Sequence, residues 1–291
     1  MGLYTLAEIL EDAQKNGYAV GAFNANNMEI VQAIVEAAEE EGAPAILQAS
    51  QGALKYAGIE MIVAMVKAKA ERVRVPLALH LDHGTSREQV IQCLREGFSS
   101  VMLDGSAHPL KENIRLTAEV VEIVHAAGVS VEGELGRIGG TEDDISVDQR
   151  EAFLTDPDEA VTFVESTSVD ALAVAIGTAH GPYQGEPHLD FERLESIAGK
   201  VKAPLVLHGA SGLSEESVRR AVSMGVCKVN IDTDLRQAFT GKAREFLQQN
   251  PREYDPRKFL KPAREETKDV VKRKMRVFGS SQRASGNLTT V

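Results

Sequence analysis

Cysteine is scarce. The 291 residues contain only Cys93 and Cys227, each in an apolar setting (IQCLREG and GVCKVNI), which excludes a disulfide framework and reads as two buried free thiols. Basic residues are outnumbered, 32 Lys and Arg against 43 Asp and Glu, for a formal net charge of −11. A field of that sign repels nucleic acid and anionic lipid, so neither is expected as a partner. An anionic substrate can still bind where Arg, backbone N–H groups or a metal override the global field. No apolar run approaches the ~20 residues that span a bilayer. The opening MGLYTLAEILEDAQ is acidic and amphipathic and lacks the basic and apolar regions of a signal peptide, so a cytoplasmic protein is expected. No linker divides the chain, and one unit over 1–291 is expected, with 250–291 as a C-terminal extension.

What is present is a composition that can bury a sizeable core, 43% hydrophobic and 26% charged. Short runs rich in Val, Ile, Leu and Ala alternate with longer stretches of helical period. The runs at 19–23, 44–49, 76–82, 99–104, 129–135, 170–176, 203–208 and 226–231 predict strands. They are continuously apolar, as in a parallel sheet covered on both faces. Between them, amphipathic periodicity predicts helices over 28–41, 60–72, 86–96, 111–127, 158–167, 191–198, 214–224 and 234–249. Gly42, Gly97, Gly128, Gly199 and Gly225 stand where helices should end. Eight β–α units in this length predict an α/β fold, a (β/α)8 TIM barrel, with an open doubly wound sheet as the alternative. Two regions break the pattern. The connection 133–156 carries Gly136, Gly139, Gly140 and the acids Glu142, Asp143 and Asp144, and reads as a mobile lid. The extension 250–291 reads as a helix over 263–276 followed by a polar tail.

Barrel chemistry collects at the C-terminal ends of the strands. Those ends read Phe23-Asn24, Ala49-Ser50, Asp82-His83, Asp104, Glu132 with Glu134, Thr178-Ala179-His180-Gly181, His208-Gly209-Ala210-Ser211-Gly212 and Asn230-Ile231-Asp232-Thr233. Three end at or just beyond a histidine. Three neutral imidazoles with one open position describe a catalytic Zn²⁺ site. The other histidines have plainer readings: His80 inside the barrel, His125 on a helix, His108 and His188 in loops. The loops after strands seven and eight are where TIM barrels commonly bind phosphate. Here they offer Gly for close backbone approach and Ser and Thr hydroxyls as donors.

Taken together, LHLDHG, VMLDGS, VEGELGRIGG, GTAHGPYQGEP, LVLHGASG and NIDTD resemble the class II, zinc-dependent fructose-bisphosphate aldolases in spacing and order. The likeness is greatest to the compact branch that contains bacterial fructose- and tagatose-bisphosphate aldolases. It runs from YAVGAFNANN to YDPRKFLKPARE and FGSSQRA. The resemblance implies Zn²⁺ on His83, His180 and His208, with Asp82 as the acid/base at the C4 hydroxyl. Asp104 and Glu134 match acids that hold a displaced or second metal, and Glu142 the lid carboxylate that exchanges the C3 proton. Gly181, Gly209, Ser211, Asn230, Asp232 and Thr233, with Ala210 and Ile231 between them, match a triose-phosphate pocket lined also by Asn24 and Ser50. Some relatives bind a monovalent cation, Na⁺ or K⁺, through backbone near Gly181 and Gly209.

The implied reaction cleaves the C3–C4 bond of a sugar bisphosphate, releasing dihydroxyacetone phosphate and glyceraldehyde 3-phosphate through a zinc-stabilised enediolate. The tail favours the fructose over the tagatose substrate, Arg257 or Arg283, from the same chain or a neighbouring subunit, is the candidate for the distal phosphate, and a homodimer or homotetramer is implied. Three rivals remain on the residues alone. A Schiff-base aldolase would need Lys228, a metal-dependent phosphosugar epimerase would share metal and phosphate loops, and a non-catalytic metal-binding barrel would use neither acid.

Overall fold

A computed structural model of the chain describes residues 2–142, 145–148, 152–183, 185 and 187–284. Its strands are β1 (Val20–Asn24), β2 (Ala45–Ala49), β3 (Leu77–Gly84), β4 (Ser100–Leu103), β5 (Ser130–Leu135), β6 (Gly139–Glu142), β7 (Ile145–Val147), β8 (Ala171–Val174), β9 (Ala179–His180), β10 (Leu205–Leu207) and β11 (Val226–Ile231). The helices are α1 (Leu6–Asn16), α2 (Met28–Glu41), α3 (Gln51–Ala57), α4 (Ile59–Ala70), α5 (Arg87–Glu96), α6 (Leu110–Ala126), α7 (Pro157–Thr167), α8 (Phe191–Lys200), α9 (Glu215–Ser223), α10 (Thr233–Gln249) and α11 (Pro256–Phe278). Eight strands close a barrel in the order β1-β11-β10-β8-β5-β4-β3-β2, every pair parallel. This is the (β/α)8 TIM barrel that the sequence predicts.

Two apolar layers hold it. The larger lies between the outward strand faces and the surrounding helices, through residues such as Leu47, Leu79, Val131, Leu172 and Val229. The smaller lies inside the barrel at its N-terminal end, where Val20, Ala22, Ile46, Ala78, Ala171, Ala173 and Val206 meet Leu6, Ile9 and Leu10 of α1. These inward residues alternate with outward ones at the strand period of two. Following the same parity upward gives Asn24, Gln48, His80 with Asp82, Glu132 with Glu134, His208, and Lys228 with Asn230. Most strands thus turn polar inside toward the top, while β8 shows only Ala171 and Ala173 and β4 and β5 begin with the buried Ser100 and Ser130.

The helix α1 was not expected. It plugs the bottom of the barrel, and Leu6, Ile9 and Leu10 are each fully buried, worth about 1.5–3 kcal/mol apiece. Its start is set by a capping box, in which Thr5 accepts from Glu8 N–H and Glu8 reaches back to the Thr5 backbone.

Three further differences have local causes. Gly199 does not end α8, which runs to Lys200, whereas Gly42 and Gly97 do cap their helices in the left-handed conformation. The α11 helix begins seven residues before the expected 263, because Asp255 accepts from Arg257 N–H and Pro256 takes the first turn. It then runs through Pro262 and packs along α2 and α10. The lid connection starts after Leu135 and contains structure: β6 and β7 form an antiparallel hairpin, and β6 pairs in parallel with β9. Asp143, Asp144 and most of the polar tail, 285–291, lie outside the described residues.

Candidate active site

The β3 strand ends irregularly. Its register with β4 runs His80↔Ser100 and Leu81↔Val101 but resumes only at Gly84↔Leu103. At this bulge His83 adopts φ 48°, a left-handed conformation uncommon for a residue with a side chain. The consequence is that consecutive residues, Asp82 and His83, both face the barrel interior. His180 arrives on β9 and His208 directly follows β10. The His83 ring centroid lies 5.0 Å from that of His180 and 4.8 Å from that of His208. One nitrogen from each ring falls within 4.8 Å of the others.

Neighbouring carboxylates decide which nitrogens are available. His83 Nδ1 lies 3.0 Å from Asp104 Oδ2, and His208 Nε2 lies 2.8 Å from Glu132 Oε1. A carboxylate accepts, so those nitrogens carry the hydrogens and the opposite ones keep lone pairs. The opposite ones are His83 Nε2 and His208 Nδ1, which face each other at 3.0 Å. Two lone pairs aimed at one point repel unless a cation lies between them. Burial disfavours charge on His83, but Asp82, Asp104 and Glu134 outweigh it and lift its pKa well above the ordinary value. Burial, and then the charge on His83, pushes His180 and His208 well below theirs. These directions favour an added proton on His83 Nε2, lying between that nitrogen and the lone pair of His208 Nδ1, and leave His180 and His208 neutral; a metal ion that displaces that proton would meet three imidazole donors, a set suited to Zn²⁺.

A second group, His83, Asp104 and Glu134, also has metal-binding spacing. Burial opposes the charge of Asp104, yet His83 and the Ser106 backbone N–H hold its pKa well below the usual range. Glu134 is pushed well above by burial and by Asp104. Its Oε2 stands 3.8 Å from His83 Nδ1 and 3.9 Å from His208 Nδ1, with no hydrogen-bond partner among the described residues.

Asp82 is fully buried and held by two amides. Gln48 Nε2 donates to Oδ2 at 2.9 Å and Asn230 Nδ2 to Oδ1 at 3.2 Å. Gln48 also donates to Asn24 Oδ1 at 2.6 Å. Gln48 escaped the sequence reading, which took Ala49-Ser50 as the strand end; the inward parity of Ile46 and Gln48 would have found it. Ser50 instead caps α3, accepting from Ala53 N–H.

Beside the histidines lies a cleft of about 200 Å³ lined by Thr141, His180, Gly181, Gly209, Ser211, Asn230, Asp232, Thr233 and Arg236, among others. The expected phosphate loops thus meet in one place. Ala210 and Ile231 are fully buried and do not line it. Thr233 opens α10, whose positive dipole end favours an anion, although the Asp234 and Leu235 N–H groups of its first turn are already bonded, to Ser211 Oγ and to the Asp232 carbonyl. Ser211 Oγ accepts from Asp232 N–H and Asp234 N–H, each at 3.3 Å, joining the two loops. Gly209 has φ 62°, and a Cβ there would stand 2.5 Å from the Ala179 carbonyl oxygen, so only glycine lets the loops approach. Tyr183 reinforces that approach: its hydroxyl accepts from Ala179 N–H at 3.0 Å and donates to the Gly209 carbonyl at 2.7 Å.

Within one chain, the arginines expected at the distal phosphate lie away from the cleft, which leaves the expected contribution from a neighbouring subunit untouched. Arg257 pairs with Asp255 and is 87% exposed on the C-terminal hairpin, and Arg283 lies over the Tyr18 ring beneath the barrel. Arg236 is the guanidinium in the cleft, bonded to Asp232 Oδ1 and Oδ2 at 2.8 Å each. Its signal was the i,i+4 spacing of Asp232 and Arg236. Glu142 ends β6 opposite Ile145; its side chain lies outside the described set, while its neighbour Thr141 lines the cleft.

Similarity to known proteins agrees with this geometry. The family model "Fructose-bisphosphate aldolase class-II" matches residues 4–283. A fructose-bisphosphate aldolase of Thermus caldophilus is 52% identical, the match covering 97% of this chain and all of that one. A probable fructose-bisphosphate aldolase of Bacillus subtilis is 48% identical over 98% of this chain and all of its own length. Among solved structures, the YdjI aldolase of Escherichia coli superposes with a TM-score of 0.84 at 35% identity, covering 97% of this chain and all of that one. Sharing about half its residues with such enzymes along their full length, and matching the family model nearly end to end, this chain belongs to the class II fructose-bisphosphate aldolases.

Proposed function

We propose that the chain reversibly cleaves fructose 1,6-bisphosphate to dihydroxyacetone phosphate and glyceraldehyde 3-phosphate, with Zn²⁺ held by His83, His180 and His208. The observation that carries this reading is the convergence of His83 Nε2 and His208 Nδ1, each left with its lone pair by a carboxylate behind it. When bound there, Zn²⁺ supplies Lewis acidity that stabilises negative charge developing on the substrate. The residues of the chain do the rest. Asp82 takes the proton of the C4 hydroxyl, its carboxylate aimed by the Gln48 and Asn230 amides. The α10 N-terminus, Ser211, Gly209, Gly181, Asp232 and Thr233 hold one phosphate, and Arg236 is the nearest cationic group for it or for the sugar. Asn24 keeps Gln48 in place, and Ser50 shapes the rim through α3. Glu142 exchanges the C3 proton from the β6–β7 hairpin, which is paired to His180 through β9. Asp104 and Glu134 receive a displaced or second metal, and backbone carbonyls near Gly181 and Gly209 take a monovalent cation.

Lys228 does not suit a Schiff base, because its Nζ is committed at 2.8 Å to Glu132 and at 2.8 Å to Asn230. A homodimer or homotetramer working in the cytoplasm completes the reading. No helix among the described residues is long and apolar enough to cross a membrane. The test is triose-phosphate release from fructose and tagatose 1,6-bisphosphates, with and without a chelator. Zinc-restored cleavage of the fructose substrate supports the proposal. Cleavage that survives thorough chelation, or interconversion of ketose phosphates without triose release, overturns it.

A further inference from the structure

Nothing in the proposed chemistry uses Lys228, yet it is fully buried inside the barrel. A buried ammonium persists only when paired and hydrogen-bonded. Here the pairing branches. Nζ lies 2.8 Å from Asn230 Oδ1 on one side and 2.8 Å from Glu132 Oε2 on the other. Both partners pass an orientation onward.

An amide has two unlike ends, and an ammonium can only donate. With its oxygen toward Lys228, Asn230 must present its NH₂ group the other way, to Asp82 Oδ1 at 3.2 Å. A flipped Asn230 would set donor against donor at Nζ and acceptor against acceptor at Asp82. On the second branch, the other oxygen of Glu132 lies 2.8 Å from His208 Nε2. Its acceptance of that hydrogen leaves Nδ1 of His208 to face His83. Among the described residues His80 also approaches Glu132, its Nε2 standing 3.5 Å from Oε2 while its Nδ1 meets Ser100. It is too distant to replace Lys228 as the partner of that oxygen.

We infer that Lys228 is a positioning residue that sets hydrogen-bond polarity in both halves of the site, turning Asn230 into a donor toward Asp82 and fixing His208 as an Nδ1 metal ligand. The inference rests on the zinc-aldolase reading above and assigns a role to a side chain that touches neither metal nor reacting atoms.

The test uses Lys228→Met, which keeps length without charge, and Lys228→Gln, which keeps a donor, as full-length proteins. Zinc affinity is measured by competition with a chromogenic chelator, and kcat per zinc-loaded site separately. The expected result for Lys228→Met is a zinc Kd raised about 10- to 100-fold and a kcat per loaded site lowered by a similar factor, with Lys228→Gln between it and wild type. Glu132→Gln, which leaves the Lys228–Asn230 contact, weakens zinc binding more than it lowers kcat of the loaded enzyme. Folded Lys228 variants with wild-type zinc Kd and kcat, even at a lower Tm, would reduce Lys228 to a core-filling role and overturn the inference. Should neither variant fold, ¹⁵N NMR of histidine in zinc-loaded wild type decides: zinc on His208 Nδ1 with a protonated Nε2 is expected, and zinc on Nε2 overturns it. Wild type that neither binds zinc nor releases triose phosphate would overturn the functional reading, and this inference with it.

Discussion

Zinc binding should release protons above neutral pH, and their number tests the electrostatics of the site. Three ordinary histidines, with pKa near 6.5, would be deprotonated by pH 7.5 and would release almost none. Here the carboxylates around His83 outweigh burial and hold its proton, whereas His180 and His208 are already neutral. Burial and Asp104 push Glu134 in the same direction, favouring a second proton beside the histidines. Zinc must displace the first and weakens the hold on the second. The expected release at pH 7.5 is between one and two protons, falling to one in Glu134→Gln. Each displaced proton tightens zinc binding tenfold per pH unit, about 1.4 kcal/mol. The sign for stability is opposite in the metal-free protein. A raised histidine pKa stabilises the fold fully below its ordinary value, and that contribution is lost as pH rises through the folded-state value. Calorimetry in two buffers of different ionisation heat counts the protons. A count near zero at pH 7.5, with affinity flat up to pH 8.5, would refute the reasoning.

Other consequences are quicker to check. Asp82→Asn keeps the size of the side chain but removes the base; kcat should fall at least 100-fold while zinc affinity stays within a few-fold, and equal loss of both would make Asp82 structural. Tyr183→Phe removes the hydroxyl bridging Ala179 and Gly209. At about 1 kcal/mol per lost hydrogen bond, it should weaken inorganic phosphate binding several-fold and raise KM more than it lowers kcat. Leu10→Ala opens a cavity where α1 plugs the barrel and should cost about 2–5 kcal/mol in denaturant unfolding, with kcat per folded molecule unchanged.

Much of this was legible in the chain because repetition amplifies weak local signals. Eight apolar runs at regular spacing fixed the barrel, and the polar residue closing each run marked its functional end. The three converging histidines and the two loops that meet at the cleft followed from those positions. What escaped depends on facing rather than on adjacency. Gln48 lies one residue inside its strand end, and only inward parity brings it to Asp82; Lys228 stood out as the lysine a Schiff base would need, but its pairing with Glu132 and Asn230 did not. The inward turn of His83 needs a bulge and a left-handed residue that no periodicity signals. Arg236 was hidden as an ordinary first-turn helix residue, while Arg257 and Arg283 drew attention by sitting in distinctive tail motifs. The α1 plug carried a readable T-x-x-E capping box but no strand before it. The β6–β7 hairpin has strands of only four and three residues, the first opening on two glycines, and its pairing with β9 is a tertiary event.

Anomalous diffraction from crystals soaked with zinc, recorded on both sides of the zinc edge, tests the central claim most directly. The account predicts one strong peak at about 2.0–2.1 Å from Nε2 of His83, from a nitrogen of His180 and from Nδ1 of His208, with His208 Nε2 still on Glu132. A peak bonded to His208 through Nε2, or zinc bound only away from these three rings, would contradict it.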